Sequence, residues 1–252
     1  MERGANGTAA RKGTGVRIAA VKATAPVELR PFASIGLWPW VELGRRNGIP
    51  IERLAEVSGV RVAELRDPDA RLAQAEANRI AELICQQHGP DAGIAAALTV
   101  EAGHFTLFEL LARTAPTLND ALVEGCRYFS LVHRDARLVY DSPPTGPRIM
   151  RLVLPESYVI HRGFIELTFA VWMVGIRRET AQPFLTPAEV WFRHPAPQGT
   201  GLYEELLGPG LRFGMPEDHI AFDRATTQVP LSRRNSELHA AAVDAARELI
   251  KR

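Results

Sequence analysis

The first half of the chain is organised by apolar positions that recur every three or four residues and are interrupted by glycine and proline. Phe32, Ile35, Leu37, Trp38, Trp40, Val41 and Leu43 predict an amphipathic helix, in which Pro39 must lie near the start or kink the axis. Gly48 and Pro50 end it. A short helix over 51–57, a turn at Gly59 and a further turn over 62–65 follow, stopped by Asp67-Pro68-Asp69 because the residue before a proline disfavours helix. Leu72, Ala75, Ile80, Leu83 and Ile84 fall in register on a longer helix over 72–87, ended by Gly89-Pro90. Thr117-Leu118-Asn119-Asp120 has the form of a capping box ahead of Ala121, Leu122, Cys126, Phe129 and Leu131.

Beyond His133 the pattern changes. Residues 137–141 and 148–154 read as strands, and Ser142-Pro143-Pro144-Thr145-Gly146-Pro147 between them can continue neither, which predicts a hairpin with a wide turn. A buried helix over 161–178, a strand over 189–194, a short helix over 202–207, and two strands at 211–213 and 220–222, facing each other across 214–218, complete the body. The order strand, strand, helix, strand, helix, strand, strand implies an antiparallel or mixed sheet with helices on one face, joined to a helical N-terminal half: an α+β fold. Three parts are expected: a disordered basic tail over 1–26, a sensing body over 27–234, and an Ala-rich helix over 235–252 that extends from it as a linker. There is no internal repeat.

Composition narrows the function. With 252 residues, 46% of them hydrophobic, the chain can fill a real core. Lys and Arg (30) barely outnumber Asp and Glu (29), so the basic excess of a dedicated nucleic-acid binder is missing. The segment 49–60 has the look of the first helix and turn of a helix-turn-helix, but only about one helical turn follows before Asp67-Pro68, too little to read several bases. Cys85 and Cys126 show no ligand or redox spacing and read as reduced thiols of a cytoplasmic protein. The most apolar run, 163–176, is shorter than the roughly 20 residues of a membrane span and contains Glu166 and Thr168. No secretory signal is visible. Seven scattered histidines form no metal-binding spacing, and no nucleophile elbow, P-loop or dinucleotide fingerprint is present. Neither an enzyme nor a cofactor protein is expected.

Three stretches together carry a resemblance: Phe105 to Leu111 with the helix there, Trp191-Phe192-Arg193-His194-Pro195-Ala196-Pro197, and Leu211-Arg212-Phe213-Gly214-Met215-Pro216-Glu217-Asp218-His219-Ile220-Ala221-Phe222. They resemble the arabinose-binding-type N-terminal domain of AraC/XylS transcription regulators. Physically these residues are fold markers: prolines that end a strand, a glycine and proline that shape a turn, and phenylalanines that supply core. The resemblance implies an effector-sensing, homodimeric domain that reaches DNA only through a C-terminal helix-turn-helix module, which lies outside this chain. Effector candidates are Phe164, Phe169, Trp172 and Met173 along the buried helix, which suit an apolar or amphipathic small molecule but are equally ordinary core residues. Tyr128 and His133, at the end of the aromatic helix, and His161, at the opening of the buried one, are candidate polar contacts, with surface or capping roles as the plainer reading. The alternative is a haem- or lipid-type small-molecule sensor unrelated to transcription.

Overall fold

A computed structural model describes residues 30–156 and 158–251. The 1–26 tail foreseen from the sequence lies outside them. The helical half begins with β1 (Phe32–Ala33), a 3-10 turn (Ser34–Leu37) and α1 (Trp38–Arg46), whose second residue is Pro39. Its missing N–H would have had no partner there, so the proline starts the helix and does not kink it. Then come α2 (Ile51–Ser58), α3 (Val62–Arg66), β2 (Arg71–Leu72), α4 (Gln74–His88), α5 (Ala92–Ala97), α6 (Thr106–Thr114) and α7 (Leu118–Arg127). The segment resembling a helix-turn-helix is α2 and α3; Leu54 and Leu65 face the core, α2 packs on α4, and α3 has only five residues. At α7 the capping box forms as expected: Thr117 Oγ1 accepts from Asp120 N, and Asp120 Oδ2 accepts from Thr117 N at 3.1 Å.

The second half holds β3 (Arg137–Asp141), β4 (Arg148–Val153), α8 (Arg162–Glu179), β5 (Glu189–Phe192), α9 (Gly201–Leu207), β6 (Leu211–Phe213), β7 (His219–Phe222), α10 (Arg224–Thr227) and α11 (Ser236–Leu249). The α+β reading holds. β3 and β4 form the expected hairpin, in the register Val139 opposite Arg151. The five strands run β3-β4-β7-β5-β6, antiparallel throughout except for β5 and β6.

That exception corrects one expectation: 211–213 and 220–222 do not face each other, because β5 lies between them. α9 carries the chain back from β5 so that β6 can lie parallel to it, and the 214–218 turn then crosses the end of β5. The crossing is held by Met215 N donating to Phe192 O at 3.0 Å, Gly214 N donating to His194 O at 3.0 Å, and the Asp218 carboxylate accepting from Arg193 N at 2.8 Å.

α8 is the axis of the body. Its Phe169 stacks on Phe192 of the sheet with ring centroids 5.7 Å apart, while Met150, Val190, Ile220 and Phe222 complete the buried inner face. On its N-terminal turn α5 approaches so closely that a Cβ on Gly93 would lie 2.6 Å from Gly163 O. α11 does not extend from the body. Its Ala242 and Ala246 are buried against Leu111 of α6 and Tyr128, and His239 Nδ1 lies 3.2 Å from Thr114 Oγ1. Small side chains let the helix approach closely and so find a partner surface within the chain. Among the described residues no helix is long and apolar enough to cross a membrane.

Candidate functional site

The face of α8 turned away from the sheet is Phe164, Leu167, Thr168, Val171, Trp172, Gly175, Ile176 and Glu179, a spacing of three and four that keeps one side of a helix. This face lines a cavity of about 140 Å³. The opposite wall is Phe105, Phe108, Ala112 and Arg113 of the α6 region, and Leu118, Ala121, Phe129, Val132, His133, Leu152 and Ile160 complete the lining. α6 packs on α7 and α11, and the space between it and α8 is the cavity. Phe108, Ala112, Val171, Val174 and Gly175 are only half-buried and mark its mouth. A Cβ placed on Gly175 would meet nothing within 4 Å, so the glycine leaves part of this space open.

Of the seven side chains singled out from the sequence, the structure brings three to this cavity: His133, Phe164 and Trp172. The other four lie elsewhere. Phe169 and Met173 are on the sheet-facing side of α8, fully buried. Tyr128 is buried beneath α11, and His161 caps α8, its Nδ1 accepting from Gly163 N at 3.2 Å and its Nε2 lying 3.4 Å from the Glu82 carboxylate in a surface groove. α8 is apolar nearly all round, so its sequence does not say which side meets the sheet. The signal for the cavity side was the small or polar set Thr168, Gly175 and Glu179 at intervals of seven and four. The α6 wall gave no separate signal, because Phe105 and Phe108 also read as plain core.

His133 is at the Phe164 end, the rings of both packing on Phe32, with both of its nitrogens in use. Nδ1 accepts from Asp135 N at 3.2 Å and Ala136 N at 3.0 Å, so the proton sits on Nε2, which donates to Gln74 Oε1 at 2.9 Å. Burial, aided by Arg71, pushes its pKa down to about 4 and keeps the ring neutral. It holds the turn into β3 and offers no free nitrogen to an iron. At the other end the lining is charged: Glu109, Arg113, Arg178 and Glu179. Burial raises the pKa of Glu179, against the pull of Arg113.

A second polar cluster lies outside the cavity. Glu166 of α8 is fully buried, accepts from Arg162, and has His194 Nε2 3.3 Å from Oε1; Arg162 and Tyr203 both donate to Pro90 O. Burial pushes the Glu166 carboxyl up to about 7, with Arg162 opposing. These groups tie α8, α9 and the loop before α5 together. Among the described residues no cluster of His, Cys, Asp and Glu is arranged to hold a metal ion.

Comparison with known proteins fits this architecture. The family model for the arabinose-binding domain of AraC transcription regulators, N-terminal, matches residues 48–231. Among solved structures the chain is similar to the transcriptional regulator CdpR from Pseudomonas aeruginosa, with a TM-score of 0.52 and 13% identity over 80% of this chain and 61% of that one. At that identity the likeness speaks for the fold. The chain thus spans about three fifths of that regulator's length. Among curated proteins, no sequence matches. The chain belongs to the family of arabinose-binding N-terminal domains of AraC transcription regulators.

Proposed function

We propose that this ligand-sensing regulatory domain takes a small apolar or amphipathic effector into the cavity between α6 and α8, forms a homodimer, and passes effector occupancy to a C-terminal helix-turn-helix module. The observation that carries the reading is the one-sided cavity along α8: a continuous apolar wall including Phe105, Phe108, Phe129, Phe164 and Trp172, with charge confined to one end. Small-molecule sites have this composition. A free sugar does not suit it, because nearly every carbon of a sugar carries a hydroxyl that loses water on entry and most of this wall offers no partner in return. His133, Phe164 and Trp172 are the effector contacts retained from the sequence reading; Tyr128, His161, Phe169 and Met173 have structural places instead.

The haem-type alternative needs an axial ligand. His133, the histidine of the cavity wall, has both nitrogens committed. The dimer is favoured by the family resemblance, since paired sensing domains place two DNA modules on adjacent half-sites. Leu238, Leu249 and Ile250 on the outer side of α11 remain exposed and can contribute to such a contact.

Small molecules carried through purification, released by denaturation and identified by mass spectrometry, test the assignment. The expected result is an apolar or amphipathic compound at one per chain, from a protein whose mass by light scattering at tens of micromolar is twice that of the chain. A sugar in the released fraction would contradict the effector class, and a monomer would contradict the dimer.

A further inference from the structure

We propose that the effector is an elongated amphiphile with a single uncharged polar head, a hydroxyl or an equivalent group that both donates and accepts a hydrogen bond, seated between Arg113 and Glu179. This deepens the reading of the cavity as the effector site and rests on it.

The lining follows α8 from Phe164 to Glu179, about 22 Å at 1.5 Å per residue. Apolar and charged lining are thus set apart along the helix, which suits a ligand with an apolar tail and a polar head at one end. The polar groups of the lining are sorted by position. At the Phe164 end, His133 is fully engaged, and the Thr168 hydroxyl donates to Phe164 O at 2.7 Å. His133 meets a ligand only through the apolar part of its ring, and Thr168 has spent its one proton, so this end offers a ligand no hydrogen-bond donor.

At the other end, two of the four charged groups are already served. Glu109 accepts from Gly103 N at 2.8 Å and Phe105 N at 3.4 Å, and Arg178 donates to Val100 O at 2.8 Å. Arg113 and Glu179 are not. Arg113 approaches Glu109 to 4.0 Å and Glu179 to 3.7 Å, distances beyond a hydrogen bond, and the buried Glu179 carboxylate has no hydrogen-bond donor on either oxygen. A buried charged group in that state is costly. One side of the gap lacks an acceptor and the other lacks a donor. A hydroxyl oxygen about 2.8 Å from each forms a triangle across the 3.7 Å separation and supplies both.

Charge selects against the ionic heads. Arg113, Arg178 and Arg233 surround this end against Glu109 and Glu179, so an ammonium head would add to an arginine excess. A carboxylate head would satisfy Arg113 but could share the site with Glu179 only by holding a proton between the two carboxyls, whereas a hydroxyl serves both groups with no change of protonation.

Calorimetric titration of the intact chain with 1-octanol, octanoate and octylamine, which share one tail length, tests this. Octanol is expected to bind most tightly. Glu179→Leu and Arg113→Met are each expected to weaken octanol on the order of tenfold, while Glu179→Gln, which keeps a carbonyl acceptor, stays within about threefold of the parent. Thermal melts of each variant confirm that it is folded, and the two sites give independent readings. Tighter binding of octanoate or octylamine, or octanol affinity unchanged in both Glu179→Leu and Arg113→Met, overturns the head assignment. In that event, if Gly175→Leu removes binding of all three probes, the cavity reading survives without it. Failure of every probe to bind, or binding indifferent to Gly175→Leu, overturns both.

Discussion

Replacing Trp172 with alanine is expected to destabilise the chain by about 3–5 kcal/mol, from lost transfer energy and the enlarged cavity it leaves. The indole is 8% exposed, meets Phe108 edge-on at 6.2 Å between ring centroids, and lies over Gly125, where a Cβ would fall 2.1 Å from the ring. It joins α8 to α7 and walls the cavity at once. Urea denaturation with the slope held comparable reads the loss. A change under about 1 kcal/mol would show that the contact with Gly125 is not maintained in solution.

The second large effect is in acid. A histidine whose folded pKa lies near 4, below the ordinary 6.5, contributes stability that is complete above about pH 6.5 and is lost as pH falls through 4. The loss amounts to about 3 kcal/mol, because burial, with Arg71 nearby, disfavours the charged ring; protonation of Nδ1 also breaks the bonds it accepts from Asp135 N and Ala136 N. Glu166 acts in the opposite sense over an overlapping range. Its folded pKa, about 7, is raised above the ordinary 4.5, so its contribution is complete below pH 4.5 and is lost as pH rises through 7. Glu166→Gln removes that opposing slope. In this background, denaturation between pH 4 and 7 is expected to show steep acid destabilisation that His133→Asn flattens. A His133 ring resonance titrating near 6.5 by NMR would contradict the account.

Much of the fold was legible in the sequence where local chemistry and tertiary packing agree. The Thr117–Asp120 box and the proline-rich turn before Arg148 each act within a few residues and form as read, whereas the helix read from Phe32 begins only at Trp38, behind a strand and a 3-10 turn, which puts Pro39 at its start. α5 was missed because Ala92–Ala97 is short, made of small apolar residues, and has no polar face to reveal a period. The position of β5 between β6 and β7 was missed for a different reason. Two short strands with a glycine turn between them have the local form of a hairpin, whereas the parallel partner is fixed by α9 and by the Asp218 carboxylate reaching Arg193 N, contacts distant in sequence. The site was half legible: the apolar run showed that α8 is buried, but an all-round apolar helix hides which side faces a sheet and which a cavity. Arg113 and Glu179, 66 positions apart, meet only in three dimensions.

Gly175→Leu tests the central claim most directly. The glycine lies near the C-terminal end of α8 at the cavity wall, where a Cβ would meet nothing within 4 Å, so a leucine is expected to occupy cavity space and to raise helix propensity. Titration with the uncharged apolar fluorophore N-phenyl-1-naphthylamine is expected to saturate at one per chain in the parent and to weaken at least about tenfold in the variant, a loss of about 1.4 kcal/mol or more, while thermal stability is unchanged or higher. Equal affinity in the two proteins would contradict the assignment of this cavity as the effector site.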